Sequence, residues 1–150
     1  MKSTRSDWLI PSSLIALSLV PAIAGIARLA QLAGGVTITP ENARFFAAPL
    51  PVLLHIPAVI LFSMCGALQF SPGFRRRRNG WHRAAGRILI PCGVVAALSG
   101  LWMAQFYPWP PGDGRILYVE RLVVGSAMLL SIALSVVAIT LRDLYSLAIE

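Results

Sequence analysis

Two histidines, His55 and His82, are the residues of this 150-residue chain best suited to chemistry, and they stand in opposite surroundings. His55 lies inside the apolar run PVLLHIPAVILF and is the only strongly polar ionisable residue well inside such a run. An imidazole there is costly unless it is neutral and hydrogen-bonded, binds a metal or haem iron, or faces water. His82 follows the run RRRRNGW and precedes Arg83 and Arg87. That grouping reads as an axial haem ligand with two guanidiniums for the haem propionates. Each histidine also has a plain structural reading. His55 can be satisfied by the carbonyl that Pro57 frees or by a neighbouring group, and His82 can cap a helix or touch lipid headgroups.

One haem cannot use both. About 15 residues of helix, roughly 22 Å, separate His55 from the end of its run nearer His82, whereas both axial nitrogens must lie roughly 2 Å from one iron. Two half-sites remain, and bis-histidine ligation of either needs a second copy of the chain, which would make the protein a homo-oligomer. Around His55, charged residues from other segments reach the same level. The expectation is an outer polar cluster of Arg28, His55, Glu120 and Arg121, capped by Tyr118. There is no Gly-rich phosphate loop, no Ser or Cys nucleophile elbow, no paired carboxylates within an apolar run and no His and Glu zinc spacing. No catalytic residue and no metal site is therefore assigned.

The elements that must position these residues are membrane spans. Hydrophobic residues make up 57% of the chain and charged residues 13%, with a mean hydropathy of +0.72, where a soluble domain carries about 25% charged residues. Four continuously apolar stretches are long enough for the roughly 20 helical residues that cross a hydrocarbon core. They cover about residues 8–33, 49–70, 84–106 and 117–141, and the connections between them are turns rather than domains. The fold class is an all-α membrane protein, one integral-membrane domain over 1–150 with four transmembrane helices in an antiparallel bundle. Arg75, Arg76, Arg77, Arg78, Arg83 and Arg87 crowd the second connection, with Lys2, Arg5 and Arg142 near the termini. Positively charged short loops stay cytoplasmic, which puts both termini there too. The net charge of +7 is thus a topology signal and not a nucleic-acid footprint. The expected partners are the bilayer and, at residues 71–87, its anionic headgroups, worth about 1 kcal/mol per nearby arginine.

Small residues indicate how the spans pack. Gly86, Gly93 and Gly100 recur every seven residues in span three, with Ala127, Ser131 and Ser135 in span four. Such stripes let helix backbones approach closely. Cys65 and Cys92 read as packing residues. The sequence PAIAG at 21–25 fits a signal-peptide cleavage site, but apolar character continues to Ala33, which favours a retained helix.

HIPA at 55–58, GALQF at 66–70, the arginine run, HRAAGR at 82–87, GLWMA at 100–104 and RLVVGSAM at 121–128 resemble, in that order, a bacterial membrane-protein family known as domain of unknown function 2306. The resemblance implies a multi-pass protein of the bacterial inner membrane and no established activity. Members typically continue past the fourth span into a second basic segment with another His-Arg pair, which this chain, ending TLRDLYSLAIE, is expected to lack. Two functions are therefore expected to compete. One is a haem-binding or electron-transfer module using His55, or His82 with Arg83 and Arg87. The other is a non-catalytic membrane component, either a partner-binding subunit or a small transporter fragment.

Overall fold

The computed structural model describes residues 6–71, 81–110 and 112–147, and every regular element among them is helical. In chain order these are α1 (Ser6–Gly34), the short α2 (Ala43–Ala47), α3 (Pro49–Gln69), α4 (Trp81–Phe106) and α5 (Arg115–Leu147). Four of them, all but α2, are long and apolar enough to cross a membrane, over Trp8–Gly34, Pro49–Gln69, Ala84–Phe106 and Arg115–Arg142. The helix α1 runs unbroken through PAIAG.

Local chemistry sets the ends. Gly35 closes α1 in the left-handed conformation (φ 63°), where a side chain would be strained. Asn42 then pins the turn, accepting from the Thr39 N–H at 2.7 Å and donating to the Thr37 carbonyl at 3.1 Å. Pro49 starts α3, at a position whose N–H would have no helical partner. At the far end of α4, Pro108 forbids continuation, and Gly112 (φ 91°) turns the chain toward α5.

The helices pack in chain order, α1 on α3, α3 on α4 and α4 on α5. Each step forward on α3 is matched by a step back on α4, since His55 faces Gly100, Phe62 faces Gly93 and Gly66 faces Leu89. The same reversal relates α4 to α5, where Gly93 meets Ile132 and Leu101 meets Gly125. The buried seam is made largely of alanine, with Ala58 and Ala67 on α3 and Ala85, Ala96, Ala97 and Ala104 on α4. Small side chains bring backbones close where lipid removes most of the hydrophobic drive between helices. The flanking helices keep their apolar surface outward, and Leu17, Val20 and Ile116 are at least three-quarters exposed. In water such a surface would aggregate; in a bilayer it meets acyl chains.

Of the three spaced glycines, two pack and one does not. Gly93 and Gly100 touch neighbouring helices, while among the described residues a Cβ on Gly86 would meet nothing within 4 Å. By the α3–α4 register Gly86 lies opposite Gln69, where α3 ends.

Candidate functional site

The end of the bundle that carries the α1–α2 and α4–α5 connections, here the Arg44 end, holds the polar groups. The short α2 places two side chains there. Phe45 lies between two cations, with Arg28 of α1 4.4 Å and Arg44 4.7 Å from its ring centre. Its edge meets Tyr107, with ring centres 5.5 Å apart. The Tyr107 hydroxyl donates to the Ala48 carbonyl at 2.6 Å, tying the last turn of α4 to the start of α3. Burial pushes the Tyr107 hydroxyl above its ordinary pKa, against the pull of Arg44. Arg44 Nη1 donates to the Pro108 carbonyl at 3.2 Å. Burial lowers the Arg44 pKa and Arg28 and Arg121 lower it further, while Asp113 opposes them.

Beneath this rim is a cavity of about 250 Å³ whose lining includes Arg44, His55, Met103, Tyr107, Asp113 and Arg121. At roughly 30 Å³ per water it has room for about eight. On its wall Asp113 Oδ2 is buried, 2.5 Å from Arg121 Nη1 but not aligned for a hydrogen bond. The contact is an ion pair with hydrogen-bonding capacity left over.

His55 reaches the cavity from α3. Its Nδ1 lies 2.9 Å from the Ala96 carbonyl and 3.1 Å from Ser99 Oγ. A carbonyl can only accept, so Nδ1 carries the hydrogen and, in the neutral ring, Nε2 presents a lone pair. The Ser99 hydroxyl itself donates to the Val95 carbonyl at 2.5 Å. Gly100 makes room for the ring: a Cβ there would lie 3.1 Å from His55 Cε1. The imidazole also borders two further cavities, about 120 Å³ between α1 and α3 and about 300 Å³ between α3, α4 and α5.

Of the residues expected to cluster, His55 and Arg121 line one cavity, and Arg28 stands beside it across Phe45. Glu120 does not join them. It is exposed, because Arg121, Val124, Gly125 and Met128 form the face of α5 turned to α3 and α4, and Glu120 falls about 100° off that face. Asp113 supplies the carboxylate instead. Tyr118 does not cap the cavity; its hydroxyl donates to Gln105 Oε1 at 2.9 Å and its ring stacks near Trp109. The carbonyl that satisfies His55 comes from Ala96 and not from the residue freed by Pro57.

Sequence reasoning missed Asp113, Arg44, Phe45, Tyr107 and Ser99. The available signal was the scarcity of acids, six in the chain, which makes a carboxylate in a Pro and Gly turn between two spans notable. His82 lies in the first turn of α4, fourteen residues before Ala96, about 21 Å along the helix. Its side chain and that of Arg83 lie outside the described residues, as do Arg75, Arg76, Arg77 and Arg78. Arg87 is exposed at the same far end. Among the described residues no three His, Cys, Asp or Glu side chains are grouped to hold a metal ion, and Cys65 and Cys92 are free and half-buried.

Neither a curated protein nor a solved structure matches the chain. A family of membrane proteins does, over residues 52–146, a stretch that includes His55, Asp113 and Arg121 and begins after Arg28 and Arg44. The chain belongs to the family described as Predicted membrane protein (DUF2306).

Proposed function

We propose that this protein is a membrane-embedded binding module in which the cavity at the Arg44 end takes a small ligand and His55 Nε2 is its polar contact toward the bundle interior. The observation that carries the reading is the anchored imidazole. Nδ1 is spent on the Ala96 carbonyl, which fixes the ring and leaves one unshared acceptor beside a space lined by charged and aromatic groups. The arginines at 75–78 favour placing this end on the non-cytoplasmic side.

A specific observation also favours haem ligation by His55, because metal-binding histidines commonly hold their other ring nitrogen on a carbonyl in this way. Size argues for the smaller ligand. The cavities bordering His55, about 250, 120 and 300 Å³, lie at or below the roughly 300 Å³ where sites for drug-sized molecules begin. A haem at His55 would require the helices to separate.

Two measurements test this. Ethoxyformylation by diethyl pyrocarbonate, read by peptide mass, should modify His55 in the folded protein in neutral-lipid nanodiscs, and Ala104→Phe, which fills the cavity, should protect it. An unreactive His55 would refute the reading. An optical spectrum with and without dithionite, after expression with ample haem, should show no Soret band; a stoichiometric band lost in His55→Ala would establish the haem alternative instead.

A further inference from the structure

The rim of the cavity carries more positive than negative charge, and its donors are largely unspent. Arg44 and Arg121 line it against a single carboxylate, Asp113, a surplus of one positive charge in the lining; Arg28 stands outside the lining across Phe45 and donates to Gln31 Oε1 at 2.6 Å. Glu120 and Glu41 lie at the same end but are exposed and outside the lining, as is Arg115. A guanidinium has five N–H donors. Arg44 commits one, to the Pro108 carbonyl, while its flat face rests on Phe45. Arg121 faces Asp113 without an aligned hydrogen bond. The remaining donors suit the two parallel oxygens of a carboxylate. The same lining includes the apolar Met103 and Ala104.

Resting on the ligand cavity proposed above, we infer that its ligand is a small organic monoanion, a short-chain carboxylate whose head is held by Arg44 and Arg121 and whose apolar body lies along Met103 and Ala104. Asp113 acts as the built-in competitor: its carboxylate holds Arg121 in the empty site, and the ligand's head must share or displace that pair. A monoanion matches the surplus of one charge, which a divalent phosphate would exceed.

The probe is butyrate, with butanol as its neutral counterpart and inorganic phosphate as the alternative anion, on the full chain in phosphatidylcholine nanodiscs. The readout is protection of His55 from ethoxyformylation, with Trp109 fluorescence as a second signal. Butyrate should protect saturably, and butanol and phosphate at least tenfold less effectively. Arg44→Gln should weaken butyrate protection at least tenfold and Arg44→Lys less, since a lysine keeps the charge but loses the fork. Asp113→Asn should strengthen it severalfold, which a general loosening of the fold would not do. Glu120→Gln, at an exposed residue outside the lining, should leave both the ligand-free reactivity of His55 and its protection by butyrate unchanged. If His55 reacts but butanol protects as well as butyrate, or Asp113→Asn weakens butyrate, the anion assignment fails and the cavity reading stands. Loss of butyrate protection on adding phosphatidylglycerol would make this a lipid-headgroup site and overturn the free carboxylate. An unreactive His55 brings down the cavity reading itself.

Discussion

Replacing Gly93 and Gly86 by alanine, one at a time, isolates the energetic weight of close helix approach. A Cβ on Gly93 would lie 2.6 Å from Ile132 Cδ1 of α5 and 2.9 Å from Phe62 Cε2 of α3. Carbon pairs prefer about 3.5 Å or more, so the overlaps are about 0.9 and 0.6 Å. Both fall on the one Cβ position, where α3 and α5 meet the same face of α4, so relief requires the Ile132 and Phe62 side chains to shift together or α4 to move away from both helices. Overpacking of this kind costs about 1–3 kcal/mol after side chains adjust. Alanine also gains up to about 1 kcal/mol over glycine in helix propensity, a term that confounds either variant alone. Gly86 cancels it, because it too lies inside α4 but, among the described residues, has nothing within 4 Å of its Cβ position. The difference between the variants is then the packing cost itself, G93A less stable than G86A by about 1–3 kcal/mol, roughly 5- to 150-fold in the unfolding equilibrium. Unfolding by sodium dodecyl sulfate in mixed micelles, followed by helical circular dichroism, measures it. G93A as stable as G86A would refute both the α3–α4–α5 register and the argument from it.

The other expectations concern the site and the topology. Gly100→Ala, with its Cβ 3.1 Å from His55 Cε1, should displace the ring by a few tenths of an ångström and change the ethoxyformylation rate of His55 with little loss of stability; an unchanged rate would mean the ring is not where Gly100 limits it. Tyr107→Phe removes the donor to the Ala48 carbonyl and should cost about 0.5–1.5 kcal/mol in the same unfolding assay. Because burial raises the Tyr107 pKa in the fold, its contribution is complete below the ordinary tyrosine value near 10 and is lost as pH rises through the raised folded value. Stability of the wild type should fall over that alkaline window by more than that of Tyr107→Phe, and equal slopes would count against the burial of the hydroxyl. Lysine at positions 75 to 78 should leave topology unchanged, because only charge is needed there, whereas glutamate at all four should perturb it; labelling of single cysteines in each connection by a membrane-impermeant reagent reads the outcome.

The spans were legible because membrane insertion imposes a one-dimensional rule: about 20 apolar residues in a row, ended by charges, prolines and glycines. Their boundaries differ from the expected ones by a few residues, the largest difference being at the end of α5, which runs on to Leu147 through the polar Arg142 and Asp143, and the next at the start of α4, which begins at Trp81. The site was legible only where one residue was costly by itself. His55 stood out because an imidazole at that depth demands a partner, but the partner is a backbone carbonyl on Ala96, and every residue has one. Choosing between Glu120 and Arg121 required knowing which side of α5 meets α4, a matter of about 100° that hydropathy cannot resolve in a helix apolar all round. Gly86 and Gly93 share a spacing, yet only the end of α3 at Gln69 separates the idle one from the packed one. The rim shows the same limit in its sharpest form. Arg28, Arg44, Asp113 and Arg121 come from four separate segments, and only Arg28 and Arg121 were expected to meet. Folding gathers those charges into a net positive rim above a histidine, because the α3 and α4 register brings the α1–α2 turn, the α4–α5 turn and His55 to a single end of the molecule.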